Sequence, residues 1–565
     1  MENDIPRKEH PFPHFERERW TNLNGEWDFE IDNENSGKDR KLYEKDRLAG
    51  KITVPFCPES KLSGIGNTDF MNCVWYKRKL EIERKAPFER VLLHIGACDY
   101  ETEVWVNGRY VRKHLGGYTP ISIDITEHIR PGGNDVTIRA YDDVRSGKQP
   151  VGKQCHEYGS FGAFYTRTTG IWQTVWLETV PESRLVSVNY HTRIDGKVRI
   201  TVKTKNANGK KVIADIYYNG DKIAEATGIS TLNTAELEIE IENPKLWSPE
   251  HPHLYDVILT LEDDTVKSYF GIREIAVENH KFYLNGKSIF GRFILDQGYY
   301  PDGVYTAPDD SDLIRDIELS KACGFNGARL HQKVFEPRFL YHADRMGYMV
   351  WGEFPNWGLD ISEPDAWKAI SCEWLEELER DMCHPCIIGW CPFNETQENQ
   401  DPELIKFIYS MTKATDPSRP VIDTSAWCHV EGYTDLYDCH DYDQDPERFK
   451  VKFDGLLNGT YEGEPSNPRP NDVCFVSEFG GTWWDTDSVD GWGYGERAKS
   501  SEEVEKRYEG LVSALLNNEK ICAFCYTQLT DIEQEKNGLY TYDRVPKFDI
   551  ERIKKATEAK AAVED

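Results

Sequence analysis

Two glutamates stand out for the chemistry they could do together. Glu395 ends the segment IIGWCPFNE and Glu478 lies in VCFVSEFGG; each follows a short apolar, β-prone run flanked by turn formers. Either one alone reads as readily as a charge at a strand end. Brought face to face across one pocket, a pair of carboxyl groups can cleave a glycosidic bond, one protonating the leaving oxygen while the other attacks or activates water. Gly480 and Gly481, just after Glu478, permit the sharp turn that would expose it.

Other polar side chains fall where apolar runs stop. Asp296 follows SIFGRFIL, Arg329 and His331 end NGARLH, and His440, Asp441 and Tyr442 follow LYDC. An arginine near a carboxylate nucleophile would hold it ionised, and a tyrosine hydroxyl donating to it would orient it. The acid partner needs the reverse, apolar surroundings or a neighbouring negative charge. Arg329 reads equally as an ion pair inside a barrel, and His440, taken alone, as a hydrogen-bonded structural histidine. Trp351, Trp357, Trp483 and Trp484 gather near the same strand ends as platforms for a sugar face, although most aromatics of this chain fill cores. Cys383-His384-Pro385-Cys386 imitates half a zinc site, but no second half of suitable spacing follows, and there is no phosphate loop or GxSxG elbow. Neither a metal nor another cofactor is expected.

The elements that must position these residues change character along the chain. Residues 1–180 hold many short β-prone runs, among them VLLHIGA, TEVWVNG and VTIRAY, which predict a two-sheet sandwich. A second β-only stretch, 181–276, suits a small Ig-like sandwich. From 277 to 565 strands alternate with helices, as a parallel (β/α)8 TIM barrel requires. Strands are predicted over 288–295, 326–330, 348–351, 387–391, 421–424, 436–440, 474–477 and 522–527, with helices over 311–322, 337–345, 366–382, 403–412 and 501–516. Glu395 and Glu478 then follow the fourth and seventh strands, at the barrel face where chemistry is sited.

Bulk properties narrow the function. The chain of 565 residues is long enough for several cores, and its net charge of −30 excludes nucleic acid as a main ligand. The amino-terminal MENDIPRKEHPFPHF has no apolar targeting core and no 18-residue apolar run occurs, so no membrane association and a cytoplasmic location are expected. The 14 cysteines, many inside strand-like segments, fit reduced thiols acting as small hydrophobes.

The stretches LNGEWDF, VWYKRKL, ETEVWVNG, HLGGYTP, TGIWQTVWLE, NPKLWSPEHPHLY, GFNGARLHQ, ADRMGYMVWGE, HPCIIGWCPFNE and SEFGG occur in this order. Together they resemble glycoside hydrolase family 2 over nearly the whole chain. The resemblance implies a jelly-roll sugar-binding-like sandwich, an Ig-like sandwich and a catalytic barrel. It also implies a retaining mechanism in which Glu478 forms the glycosyl-enzyme, Glu395 serves as acid and then base, and Asn394 bonds the sugar's 2-hydroxyl. In the family's β-glucuronidases an Asn-x-Lys pair clamps the sugar carboxylate. Here the matching stretch, EKNGLYTYDRVPK, puts Glu535 and Asn537 at those positions, and a glutamate would repel a uronate. The expected substrate is therefore a glycoside of a neutral β-linked sugar, galactose first, with Trp483 and Trp484 among the sugar contacts. β-Glucuronidase, β-galacturonidase, β-mannosidase and α-L-arabinofuranosidase activities stay open within the family, as does a catalytically silent carbohydrate-binding protein outside it. Self-association into a homo-oligomer is compatible with all of them.

Overall fold

Alternation of apolar and polar residues builds the first two units. In Lys197–Lys205, KVRITVKTK, Val198, Ile200, Val202 and Thr204 point inward while the residues between them face outward, so one face of the strand is buried. The computed structural model describes residues 5–564 apart from 83, 85, 87, 464–466, 470 and 486–489. Its first sandwich packs an antiparallel six-stranded sheet against a four-stranded one. Trp27, Tyr76, Val104 and Ile138 meet Leu93, Ile95, Ile121 and Val175 in the core between them. The Ig-like unit packs a three-stranded sheet on a four-stranded one around Ile200, Val202, Ile216 and Leu259. Arg17 ties the two sandwiches together, donating to Asp264 at 2.8 and 3.0 Å and to Glu178 at 3.0 Å, with all three side chains buried.

The barrel strands are apolar on both faces because parallel strands are covered within and without. Seven of them form one parallel sheet: Gly291–Asp296, Gly327–Leu330, Met349–Glu353, Ile387–Cys391, Tyr437–Asp441, Cys474–Gly480 and Ile521–Thr527. Residues 421–424, predicted as the fifth strand, make only isolated parallel bridges at Val421 and Ser425, to Trp390 and Asn394. The cause lies further along the chain: the carboxylates of Asp435 and Asp438 take the backbone N–H groups of Val421 and Ala426, so a regular ladder on that side does not form. This segment still closes the ring. The first barrel strand begins at Gly291 rather than 288, because Lys287–Ile289 is the return arm of a hairpin whose Asn285-Gly286 turn has φ of 54° and 75°. Two helices lie outside the predicted set, Pro446–Asn458 and Ile550–Thr557, each capped by an aspartate accepting from its first turn. Among the described residues no helix is long and apolar enough to cross a membrane.

The first sandwich also reaches over the barrel mouth. Val151 N–H donates to Trp357 O at 2.8 Å and Gly152 N–H to Pro355 O at 3.3 Å. Gly152 has φ 57°, and a Cβ there would stand 2.3 Å from Gln332 O, so only glycine allows this approach.

Candidate active site

Seven residues singled out in the sequence meet at the carboxyl ends of the barrel strands. Glu478 lies within Cys474–Gly480, longer than predicted, and is 4% exposed. Arg329 donates to Glu478 Oε1 at 3.0 Å, to Glu353 Oε2 at 2.6 Å and to Asn394 Oδ1 at 2.6 Å. Tyr442 donates its hydroxyl to Glu478 Oε2. His440 bridges both glutamates, with Nδ1 2.8 Å from Glu395 Oε1 and Nε2 3.4 Å from Glu478 Oε1. His331 Nδ1 is 3.0 Å from Glu353 and 3.9 Å from Glu478. One oxygen of Glu395, one nitrogen of His440 and one oxygen of Glu478 all lie within 4.8 Å of one another.

The two carboxyl groups sit in different surroundings. Burial alone would raise Glu478, but His440, His331 and Arg329 outweigh it, with Tyr442 adding a hydrogen bond, and hold the carboxyl well below its ordinary range. Burial opposes charge on His440 too, yet the fields of Glu478 and Glu395 raise it. His331 is lowered, chiefly by burial. Glu353 is held at about 2, because Arg329 and His331 outweigh its burial. Glu395, by contrast, keeps 17% of its side chain exposed and lines a recess open to solvent with Trp357 and Phe164. Its backbone has φ 47°, and its N–H donates to Ser425 O at 2.8 Å. Asn394 presents a buried Nδ2 without a hydrogen-bond partner among the described residues.

A second group forms a buried wall beside this cluster. Glu535 accepts from Tyr165 Oη and from Asn537 Nδ2 at 2.9 Å, and Gln528 Nε2 donates to Asn537 Oδ1 at 2.9 Å. Burial raises Glu535; the nearby Lys153 charge opposes this and the Glu478 charge adds to it. Lys153, from the same sandwich loop as Gly152, is 6% exposed, with Nζ 4.0 Å from the Trp357 ring centroid. Its carbonyl accepts from Tyr165 N–H at 2.8 Å, while its ammonium makes no ion pair or hydrogen bond among the described residues.

Other expected site residues fall elsewhere. Asp296 accepts from Gly298 N–H at 2.9 Å on its carboxylate, which is raised to about 7 by burial and then by Asp316 and bonds no member of the glutamate cluster among the described residues; only its carbonyl does, accepting from His331 N–H at 2.8 Å. Trp484 packs on Phe548 at 5.3 Å, and Trp483 docks through its backbone to Tyr494 and Ala498. The aromatic ring beside the nucleophile-like carboxyl is instead Tyr494, stacked on Tyr442. Trp351 is buried inside the barrel against Phe475, whereas Trp357, in the loop beyond, lines the recess with Glu395. Cys383, His384 and Cys386 each bond inward, to Val188 O, Asp344 and Leu340 O. Glu353 was overlooked although VWGE marks it as another strand-end acid; Lys153, Tyr165 and Gln528 carried no local signal.

Comparisons with known proteins agree with this architecture. The model described as the sugar binding domain of glycosyl hydrolases family 2 matches residues 20–181, a second model of that family matches 182–273, and its TIM barrel domain matches 275–452. A Formosa agariphila protein is 30% identical over 341 residues, which take in 57% of this chain and 39% of that one. A β-galactosidase of Thermoanaerobacter pseudethanolicus is 27% identical, with 66% of this chain and 51% of the relative covered. The chain thus spans about half or less of the length of these two. A β-glucuronidase of Paenibacillus borealis is 26% identical over 93% of this chain and 94% of its own. Among solved structures, β-glucuronidase from Ruminococcus gnavus in complex with D-glucuronic acid has the same fold, with TM-score 0.81, 20% identity and coverage of 98% and 100%. Three successive models of one family account for both sandwiches and much of the barrel, and the chain belongs to glycosyl hydrolase family 2.

Proposed function

We propose that this enzyme is a retaining exo-β-glycosidase in which Glu478 is the nucleophile and Glu395 the acid/base. The observation that carries the reading is the approach of Glu395, His440 and Glu478 to within 4.8 Å. Retention needs the two carboxyl groups about 5–5.5 Å apart, whereas inversion needs about 6.5–9.5 Å to admit a water. Glu478, buried among cations, stays ionised and attacks the anomeric carbon. Glu395, at the solvent-facing side, gives its proton to the departing oxygen and later takes one from water. The unpartnered Asn394 Nδ2 is placed to donate to the sugar's 2-hydroxyl. Buried Tyr165, Gln528, Glu535 and Asn537 wall off the far side, which favours a terminal sugar.

For the sugar, a galactoside comes first, because Glu535 keeps lone pairs for hydroxyl groups and opposes a uronate carboxylate. A β-glucuronide is the second reading. Lys153 favours it, since a largely buried ammonium with no ion partner among the described residues gains from an incoming anion, and relatives named β-glucuronidase share this fold. A panel of nitrophenyl glycosides tests both, and azide rescue tests the roles. Glu478→Ala with azide should yield a glycosyl azide of inverted configuration, and Glu395→Ala one of retained configuration, each identified by NMR. Rescue with the two configurations exchanged would refute the assignment.

A further inference from the structure

Trp427 stands out beyond the carboxylate cluster. Its indole is 44% exposed, yet it and the preceding Ala426 hold φ of 48° and 58°, a backbone region that bulky side chains avoid. The stem beneath is fixed: Ala426 N–H and Ser425 Oγ both donate to Asp438 Oδ2, at 3.1 and 2.8 Å, and Gln400 Nε2 donates to Cys428 O at 2.6 Å. Strained, anchored backbone that presents a large apolar ring to water gains nothing for folding. Such a ring is explained by a ligand that covers it.

Its surroundings identify that ligand. Trp427 borders two recesses of about 520 and 510 Å³, the first shared with Glu395, Trp357 and Phe164, the second with His440 and Tyr461. If Glu395 protonates the leaving oxygen, the leaving group emerges into the first recess. Ser362, Gln397 and Asn399 add hydrogen-bonding groups to the same lining. A pyranose ring matches both features, its C–H face lying on indole and its hydroxyl edge meeting amides and a hydroxyl. A plain aryl ring would use only the first.

We propose that Trp427, with Trp357 and Phe164, forms an acceptor-side subsite for a second sugar ring, so that the substrate class is a β-linked oligosaccharide rather than a small aryl glycoside. The inference rests on Glu395 being the acid/base.

The test compares the wild type with Trp427→Ala and Trp427→Phe on two substrates of whichever sugar the wild type releases, a β-linked disaccharide and the glycosyl fluoride. The disaccharide should lose about fivefold to tenfold more kcat/KM in Trp427→Ala than the fluoride does, the worth of one ring contact, mainly through KM. Trp427→Phe should recover most of that difference. Equal losses on both substrates, or a disaccharide rate indifferent to Trp427, overturn the proposal. A loss confined to nitrophenyl glycosides overturns it as well, by giving the recess to an aryl group. A folded wild type inert on every glycoside would remove the acid/base assignment itself, a separate outcome.

Discussion

Replacing Arg329 by glutamine tests the electrostatic account of the nucleophile most directly. The guanidinium lies 3.0 Å from Glu478 Oε1, which sets the charges about 4 Å apart; at an effective dielectric near 20 that pair is worth about 4 kcal/mol. At about 1.4 kcal/mol per pH unit, this is about three units. His440 at 3.4 Å and His331 at 3.9 Å take up part of the loss, so about two remain. The sign follows from the depressed carboxyl: in the wild type Glu478 stays ionised as pH falls, and removing a cation makes it protonate sooner. The acid limb of kcat/KM should therefore move upward by about two pH units in Arg329→Gln and by less in Arg329→Lys. The same arginine neutralises buried Glu353, so the variant should also lose about 3–5 kcal/mol of stability near neutral pH. Because both carboxyls are depressed in the fold, their stabilisation is present above the unfolded carboxylate range and fades as pH falls towards the folded values. Circular dichroism establishes folding before the profile is measured. An unmoved acid limb in a folded variant would refute the reasoning.

Three further outcomes follow from the same geometry. If Glu535 faces the sugar as proposed, Glu535→Gln should raise the glucuronide-to-galactoside ratio of kcat/KM about tenfold; an unchanged ratio would clear Glu535 of choosing between them. Tyr442→Phe deletes the hydroxyl donated to Glu478 and should lower kcat/KM at least about tenfold, the worth of a hydrogen bond to a charged group, while the unfolding midpoint stays near that of the wild type. Arg17→Met strands Asp264 and Glu178 and should cost about 3–5 kcal/mol in denaturant unfolding with little change in kcat; a wild-type midpoint would show that the two sandwiches are held by other contacts.

Residues at the mouth of the barrel were readable because buried parallel strands are largely apolar on both faces, so polar residues within the last positions of a run or soon after it mark the rim. GARL gave away Arg329 and IIGWC gave away Glu395 in this way. The segment at 421–424 was apolar enough to pass for a strand, but carboxylates fourteen or so residues on bond its backbone, a tertiary choice invisible in a short window. Trp351 and Trp357 looked alike in sequence. One lies on a strand and fills the barrel, while the other lies in the loop and meets the recess. Lys153 and Tyr165 were beyond reach for a different reason: nothing local tells which loop of one unit will cover another.

The glycine-permitted crossing of residues 151–153 over the rim separates two inherited tasks. On the proposed function, bond breaking falls to barrel side chains, while Lys153 and Tyr165, beside Trp357 and Glu535, are supplied by a different module. Substrate preference can then drift through changes in the amino-terminal unit without disturbing the reactive carboxyls. Grafting that unit between relatives becomes a natural route to altered selectivity.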